Sequence, residues 1–435
     1  MRLFPASGRR RPQRGARMRR DVCAAAVILV AVTLTPPAAA AQEPQPETPT
    51  AAFTLRTSIK ASALLFRTPD APELFPARTG AASMWRMRVE PEMNAGRHAL
   101  FSLAYEQRLR HASSVSGLTT VGMPAYQGQA PFRIRPLDWS LAESSGASWR
   151  HEIDRASMRL HVRRVDLTLG RQAVGWGRGV MFGAVDLFAP FSPLEADREW
   201  RRGVDAVRAD VKLTERSSVD LVGAFGTAWD RSAVAARLRG YAGPMDIELV
   251  GGRRARDLFS GVTTSVAVGG AELHGEVAAF RVPADASPTA SGLVWKAVVG
   301  GSYRVPIGSG LLTYAEYHYS GFGSPSPEGI LTLLSAPDFT KRYLRGDTQI
   351  LSRHAVALTA FYEASTEVNW SGQWVHNPRD RSGVIAPGLT YTVSDEVSLL
   401  GTTYVPYGRP PRGVLLRSEY GAASLSGLLQ LRVYL

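Results

Sequence analysis

Residues 54–65 read TLRTSIKASALL, and their alternation decides the fold. Leu55, Thr57, Ile59, Ala61, Ala63 and Leu65 share one face of an extended chain, while Arg56, Ser58 and Lys60 share the other. The same two-residue period returns where Trp85, Met87 and Val89 oppose Arg86, Arg88 and Glu90, and where Val207, Ala209, Val211 and Leu213 oppose Arg208, Asp210 and Lys212. Val368, Trp370, Gly372 and Trp374 repeat it against Glu367, Asn369, Ser371 and Gln373. After residue 52 no run approaches the eighteen apolar residues of a membrane helix, so the chain reads as all-β.

Alternation alone does not say which face is wet, because soluble antiparallel sheets alternate too. Connection lengths add the missing information. Tight links at Asp154-Arg155-Ala156, Thr214-Glu215-Arg216, Gly269-Gly270, Ala364-Ser365-Thr366 and Ser394-Asp395-Glu396 tend to alternate with long ones at 67–81, 111–146, 170–203, 282–292 and 321–352. Short turns at one end and long loops at the other are the anatomy of a closed antiparallel transmembrane β-barrel. The segments number about eighteen, with sixteen as the alternative, an even count that leaves both termini in the periplasm. Within Met158 to Leu169 the apolar face slips from Met158, Leu160 and Val162 to Val165, Leu167 and Leu169, which predicts a β-bulge at Arg163-Arg164.

The polar faces supply a wet lumen. Arg56, Lys60, Arg86, Arg88, Arg108, Arg159, His161, Arg164, Arg208, Lys212, Arg237 and Arg239 are expected there, facing Glu90, Glu106, Asp166, Asp210, Asp246, Glu248, Glu272, Glu276 and Glu316. Lipid cannot accept such rows, since one arginine or lysine facing the bilayer midplane costs about 2–4 kcal/mol in a barrel. Cations and carboxylates facing each other across a pore set a transverse field, and a basic excess favours anions.

The third long loop contains GRQAVGWGRGVMFGAVDLFAPFSP, residues 170–193. Its glycines allow sharp bends and its prolines prevent it from pairing as further strand. Gly170-Arg171-Gln172, Trp176-Gly177-Arg178-Gly179 and Asp186-Leu187-Phe188 resemble a pattern of Gram-negative porin-like barrels, including the alginate-export-like family, over roughly residues 170–208. That resemblance implies a passive outer-membrane channel in which the third extracellular loop, 170–203, folds inward and narrows the barrel. The expected constriction residues are Arg171, Trp176, Arg178, Asp186, Glu195, Asp197, Arg198, Glu199, Arg201 and Arg202. Their charges either meet solute or clamp the loop to the wall. Trp176, Phe182, Phe188 and Phe191 either guide sugars or pack the loop.

The front of the chain reads as a cleaved signal peptide, residues 1–41: eight arginines before Asp21, an apolar run Cys23 to Leu34, a break at Pro36-Pro37 and a small-residue site at Ala39-Ala40-Ala41. Met18 is an alternative start. Its removal lowers the net charge from +13 to +6 and takes away the single cysteine, leaving no disulfide and little support for nucleic-acid binding. Residues 42–52 are a proline-rich periplasmic spacer and 53–435 the barrel. The last residues, LLQLRVYL, alternate as the terminal strand read by the barrel-assembly machinery does, although the aromatic is penultimate.

Competing readings are thinner. Gly175-x-Gly177-x-Gly179 lacks the lysine and hydroxyl residue of a phosphate loop. His318 and Ser320, with Glu316 on the same strand face, have the spacing of an outer-membrane lipid hydrolase, but alternation turns them inward. The eight histidines are scattered, so neither a metal nor another cofactor is expected. The reading is a non-enzymatic outer-membrane porin that passes small polar solutes, anionic or sugar-like, in contact with outer-membrane lipid and lipopolysaccharide, as a monomer or an oligomer. Adhesive and polysaccharide-export barrels are the alternatives.

Overall fold

The protein is described by a computed structural model over residues 51–113, 131–285 and 291–435; the expected leader, and the spacer up to residue 50, lie outside the described residues. Among the described residues, nineteen strands form one antiparallel sheet. Eighteen of them follow one another around a ring. The first, Ala51–Arg67, closes it on the last, Leu425–Tyr434, in register from Ser58 opposite Tyr434 to Arg67 opposite Leu425. Thr57 and Leu435 complete the seam with N–H to carbonyl bonds of 2.9 and 2.7 Å. Closure leaves the first and last strands of the ring no free edge, which is what a strand-built membrane protein requires. Eighteen is the expected number, and sixteen is set aside.

The nineteenth strand, Asp138–Glu143, was not expected. It lies inside the loop assigned to 111–146 and pairs with residues 148–152 of the Ala147–Val162 strand. The next ring strand, Val165–Gln172, pairs with Ala147–Val162 only from Ala156 onward, so the extra strand takes up the neighbouring stretch that it leaves open.

Two local expectations exchange places. Asp154-Arg155-Ala156 is not a turn but the middle of a continuous strand, and Arg163-Arg164 is not a bulge but a turn. Val162 pairs with Val165 across it, and Arg163 adopts a left-handed φ of 57°. Two-residue hairpins need such φ values, and an arginine pair does not carry the usual Asn-Gly signal. The bulge falls at Asp154, because Ala104 pairs with Arg155 and Tyr105 with Ile153. The extra residue points a carboxylate inward to Arg88, Arg133 and Arg155.

The links at Gly269-Gly270, 364–367 and 393–396 sit at the end where Ala51–Arg67 begins and Leu425–Tyr434 finishes, and the longer segments 68–78, 173–203, 321–353 and 408–424 sit at the other. Residues 321–352 are not plain loop. Helices Ile330–Ser335 and Pro337–Arg345 occupy them, the second opening on Pro337 and ending at Gly346 in a left-handed φ of 81°. Arg342 and Arg345 with Asp347 tie that helix to Arg254 and Asp257 on the wall.

Leu65, Trp85, Leu249, Trp295 and Leu429 are exposed on the outer face, whereas Lys60 and Arg88 are 2 % and 1 % exposed on the inner one. The apolar core lies inside the ring, where Trp176, Phe182, Leu187 and Phe188 of the third loop meet Val222, Val250, Phe280 and Val298 of the wall. Leu249→Arg, on the outer face midway along Met245–Arg254, is expected to lower stability in bilayers by about 2–4 kcal/mol. Lys212→Gln, on the inner face, should stay within about 0.5 kcal/mol. Urea titration of the folded barrel in vesicles checks both.

Candidate functional site: the inward third loop

Gln172 and Val204 are cross-strand neighbours, so the 173–203 segment leaves and rejoins the wall at one place. Between these points its outgoing limb reaches across the ring. Trp176 Nε1 donates to Asp220 Oδ2 at 3.0 Å, its ring meets Phe188 edge-on at 5.2 Å, and the Arg237 guanidinium lies 5.3 Å from it. Arg178 bonds to Asp246 and, at 3.3 Å, to Glu248.

From Arg178 to Val185 every backbone N–H goes to a side chain outside the loop, seven to carboxylates of the wall and one to the 321–353 segment. Glu276 Oε1 accepts from Arg178 and Gly179, and Glu276 Oε2 from Ala184 at 2.7 Å and Val185 at 3.2 Å. Glu316 accepts from Val180 at 2.5 Å and from Met181 and Phe182 at 3.0 Å each. Gln349 Oε1 takes Gly183 at 2.8 Å. Hydrogen bonds to an ionised carboxylate contribute about 1.5–3 kcal/mol each, so two buried glutamates fold the tip around themselves. Gly177, at φ 102°, makes the close approach feasible, since a Cβ there would lie 2.8 Å from Glu276 Oε1.

The returning limb fastens to the seam side of the barrel. Lys60 Nζ bonds to Asp197 at 2.8 and 2.9 Å and to Glu199 at 2.6 Å; the Tyr434 hydroxyl donates to Glu199 at 2.7 Å. Lys60, Arg86 and Arg88 gather around the Trp200 ring, at 3.7, 4.7 and 5.0 Å. Arg201 binds Asp186 Oδ2 at 2.5 Å, and Arg198 binds the Val180 carbonyl at 2.8 Å, which cross-link the two limbs. Burial pushes the Asp186 carboxyl above its ordinary range, and it pushes Glu195 up to about 7. Glu195 and Arg202 border a cavity of about 150 Å³ between this limb and the 337–345 helix.

Of the expected constriction residues, Arg178, Asp186, Asp197, Arg198, Glu199 and Arg201 therefore belong to the loop's own fastenings, and Trp176 packs, as does Phe188 of the loop's aromatics. Arg171 stands apart. Its guanidinium is used up in the wall by Asp205 at 2.7 and 3.1 Å and by the carbonyls of Arg135, Pro136 and Ile153. Trp200, Asp220 and Gln349 had no signal in the sequence beyond their residue type.

Among the expected lumen residues, Arg86 and Arg88 share Glu106, Arg108 pairs with Glu152, and Arg208 binds Asp220 at 2.9 and 2.8 Å. Arg56, paired with Glu92 at 2.9 Å, and Arg159 are exposed on their strands. His318 and Ser320 are fully buried on the inner face, and neither His318 nitrogen nor the Ser320 hydroxyl has a hydrogen-bond partner, so the nucleophile-to-base link of a hydrolase is not formed. Phe182 stacks on His318 at 4.8 Å instead. Among the described residues no group of three or more potential metal ligands occurs.

The chain matches no protein-family model and no curated protein sequence. Solved structures are similar over most of its length. OccAB4 of Acinetobacter baumannii superposes with a TM-score of 0.52 at 8% identity, covering 88% of this chain and 97% of that one. OccAB1 of the same organism gives 0.51 at 9% identity, with 88% and 96% covered, and OccK5 (OpdH) of Pseudomonas aeruginosa 0.50 at 8%, with 88% and 98%. These are outer-membrane porins. The chain has the porin fold.

In this porin-fold chain, replacing Glu276 and Glu316 together by leucine leaves seven buried N–H groups unpaired. The double variant is expected to release residues 176–185, read as rapid tryptic cleavage after Arg178 in the otherwise folded barrel, while the unaltered protein resists.

Proposed function

We propose that the chain is an outer-membrane channel through which small polar solutes diffuse passively, with the 173–203 loop as its constriction and a mild preference for anions. The observation that carries this reading is a pair of cavities meeting at Gly177. One, about 610 Å³, lies between the two limbs of the loop and is bordered by Trp176, Asp186, Arg198 and Arg201. The other, about 980 Å³, lies towards the short-turn end of the barrel, and six of its bordering side chains are Arg or Lys against four Asp or Glu.

A route along these cavities passes between charges held by the wall, so it orients a solute without offering it a strong binding partner. Localisation follows from the closed barrel with its apolar outer belt, and the alternating final strand suits recognition by the barrel-assembly machinery. The dense fastening of the loop favours a second reading, a barrel sealed for a structural or adhesive role.

Single-channel recording of the refolded chain in planar bilayers separates the two. The channel reading expects steady steps with weak anion preference in the reversal potential, and larger steps when residues 177–185 are replaced by a short Gly-Ser link. A folded barrel that stays silent would sink it.

Glu195 provides a pH test. Its carboxyl, raised to about 7 by burial, is neutral below neutrality and charged above. Because it borders the cavity of about 150 Å³ behind the loop and not the two cavities of the route, its titration is read as stability of the folded barrel. By linkage, folding stability falls as pH rises from the ordinary glutamate range through about 7 and levels off above it, and Glu195→Gln should remove that dependence.

A further inference from the structure

We propose that the outer face of the barrel, at the loop end of strands His354–Glu363, Val368–Asn377, Ser382–Thr392 and Val397–Tyr407, binds the phosphate of an outer-leaflet lipid headgroup. The inference rests on the membrane location proposed above, and it concerns the side of the wall opposite the pore.

Alternation fixes the faces. Val375 and Val384 are buried inward, so Trp374, His376, Gly383 and Ile385 face out, as do His354 and Val356 beside the inward Ala355 and Ala357. On this outer face Trp374 Nε1 donates to the Tyr407 hydroxyl at 2.7 Å, and that hydroxyl lies 2.8 Å from His376 Nδ1. The indole and imidazole stack at 5.1 Å and 12°. Tyr407 reaches them across the intervening strand because Gly383 has no side chain; a Cβ there would lie 2.5 Å from the Tyr407 oxygen. A second pair, Tyr317 and His354, joined at 2.7 Å, sits beyond Val356, which is the cross-strand neighbour of both Tyr317 and His376.

One hydroxyl, that of Tyr407, thus links the indole and the imidazole. Among the described residues the His376 ring hydrogen-bonds through Nδ1, which leaves Nε2 for a ligand.

The rim above it is basic. Arg379 and Arg381, in the turn following this strand, and Arg409, two residues beyond Tyr407, are exposed and form no ion pair among the described residues. The carboxylate between the first two is occupied: Asp380 points inward and accepts from Ser382 N and Oγ at 2.9 and 2.6 Å and from Glu419 N at 2.7 Å. The fields of Arg353 and Arg379 both reach His354. Aromatic rings, an imidazole and unpaired guanidinium groups at the loop-side boundary of an apolar belt match a lipid whose headgroup carries phosphate.

The test uses the full mature chain in nanodiscs and a fluorescent bisphosphorylated lipid A, with its dephosphorylated form as the control. The unaltered protein is expected to hold the phosphorylated probe at least about tenfold more tightly, the difference made by one charge-assisted contact. Arg379→Gln/Arg381→Gln/Arg409→Gln should erase that difference, and His376→Gln should reduce it. Channel conductance, recorded on the same variants, should not change, so loss of lipid binding with intact conductance is distinct from failure of the channel reading. Equal binding of the two probes overturns the proposal. Displacement of the probe by millimolar inorganic phosphate also overturns it, in favour of a site for free phosphate.

Discussion

Eight consecutive backbone N–H groups, Arg178 to Val185, have no strand to pair with, and two glutamates and a glutamine projecting into the lumen accept all of them. A loop inside a barrel must satisfy its main chain without water in its core, because a buried unpaired amide costs about as much as a lost hydrogen bond. The carboxylates of Glu276 and Glu316 meet that constraint and in doing so determine the shape of the tip, the glycine at 177 and the burial of Phe182 against His318. The wall obeys the same rule by closing on itself at Ala51–Arg67 and Leu425–Tyr434. Main-chain satisfaction therefore governs both the ring and what crosses it.

Charge plays the complementary part. The inner face holds its arginines and carboxylates in chains, Arg86 and Arg88 through Glu106 and Asp154, Arg208 and Arg237 through Asp220, so few charges stand alone. Pairing of this kind makes each burial tolerable and adds little net stability. Its result is a lumen whose groups are fixed in place, with the residual basic excess concentrated in the cavity bordered by Arg178, Arg237 and Arg239.

The ring was legible from the sequence because a two-residue period repeated over eighteen segments leaves little freedom: Lys60, Arg86 and Arg88 had to face away from Leu65 and Trp85. The inward charges were legible for the same reason, Glu276 and Glu316 among them, but their task was not. Nothing in a strand pattern says that a carboxylate will collect amides from a loop about 100 residues earlier in the chain. The exchange of turn and bulge between Asp154 and Arg163 has a similar origin, since the slip in periodicity marks a break but not its kind. The helices at 330–345 escaped because six- and nine-residue elements held by Arg342, Arg345 and Asp347 leave too short a pattern to read.

The third loop is anchored at Lys60 and Arg86 on one side and at Glu276 and Glu316 across the bore, six to nine strands away by the shorter way around the ring. Mechanically it is a strut across a thin-walled tube. A wide sheet cylinder deforms most easily by flattening into an ellipse, and a brace across the bore stiffens it against that mode. The element that narrows the bore thus also holds the cross-section round, so lengthening or cutting it would loosen the wall on which its own anchors depend.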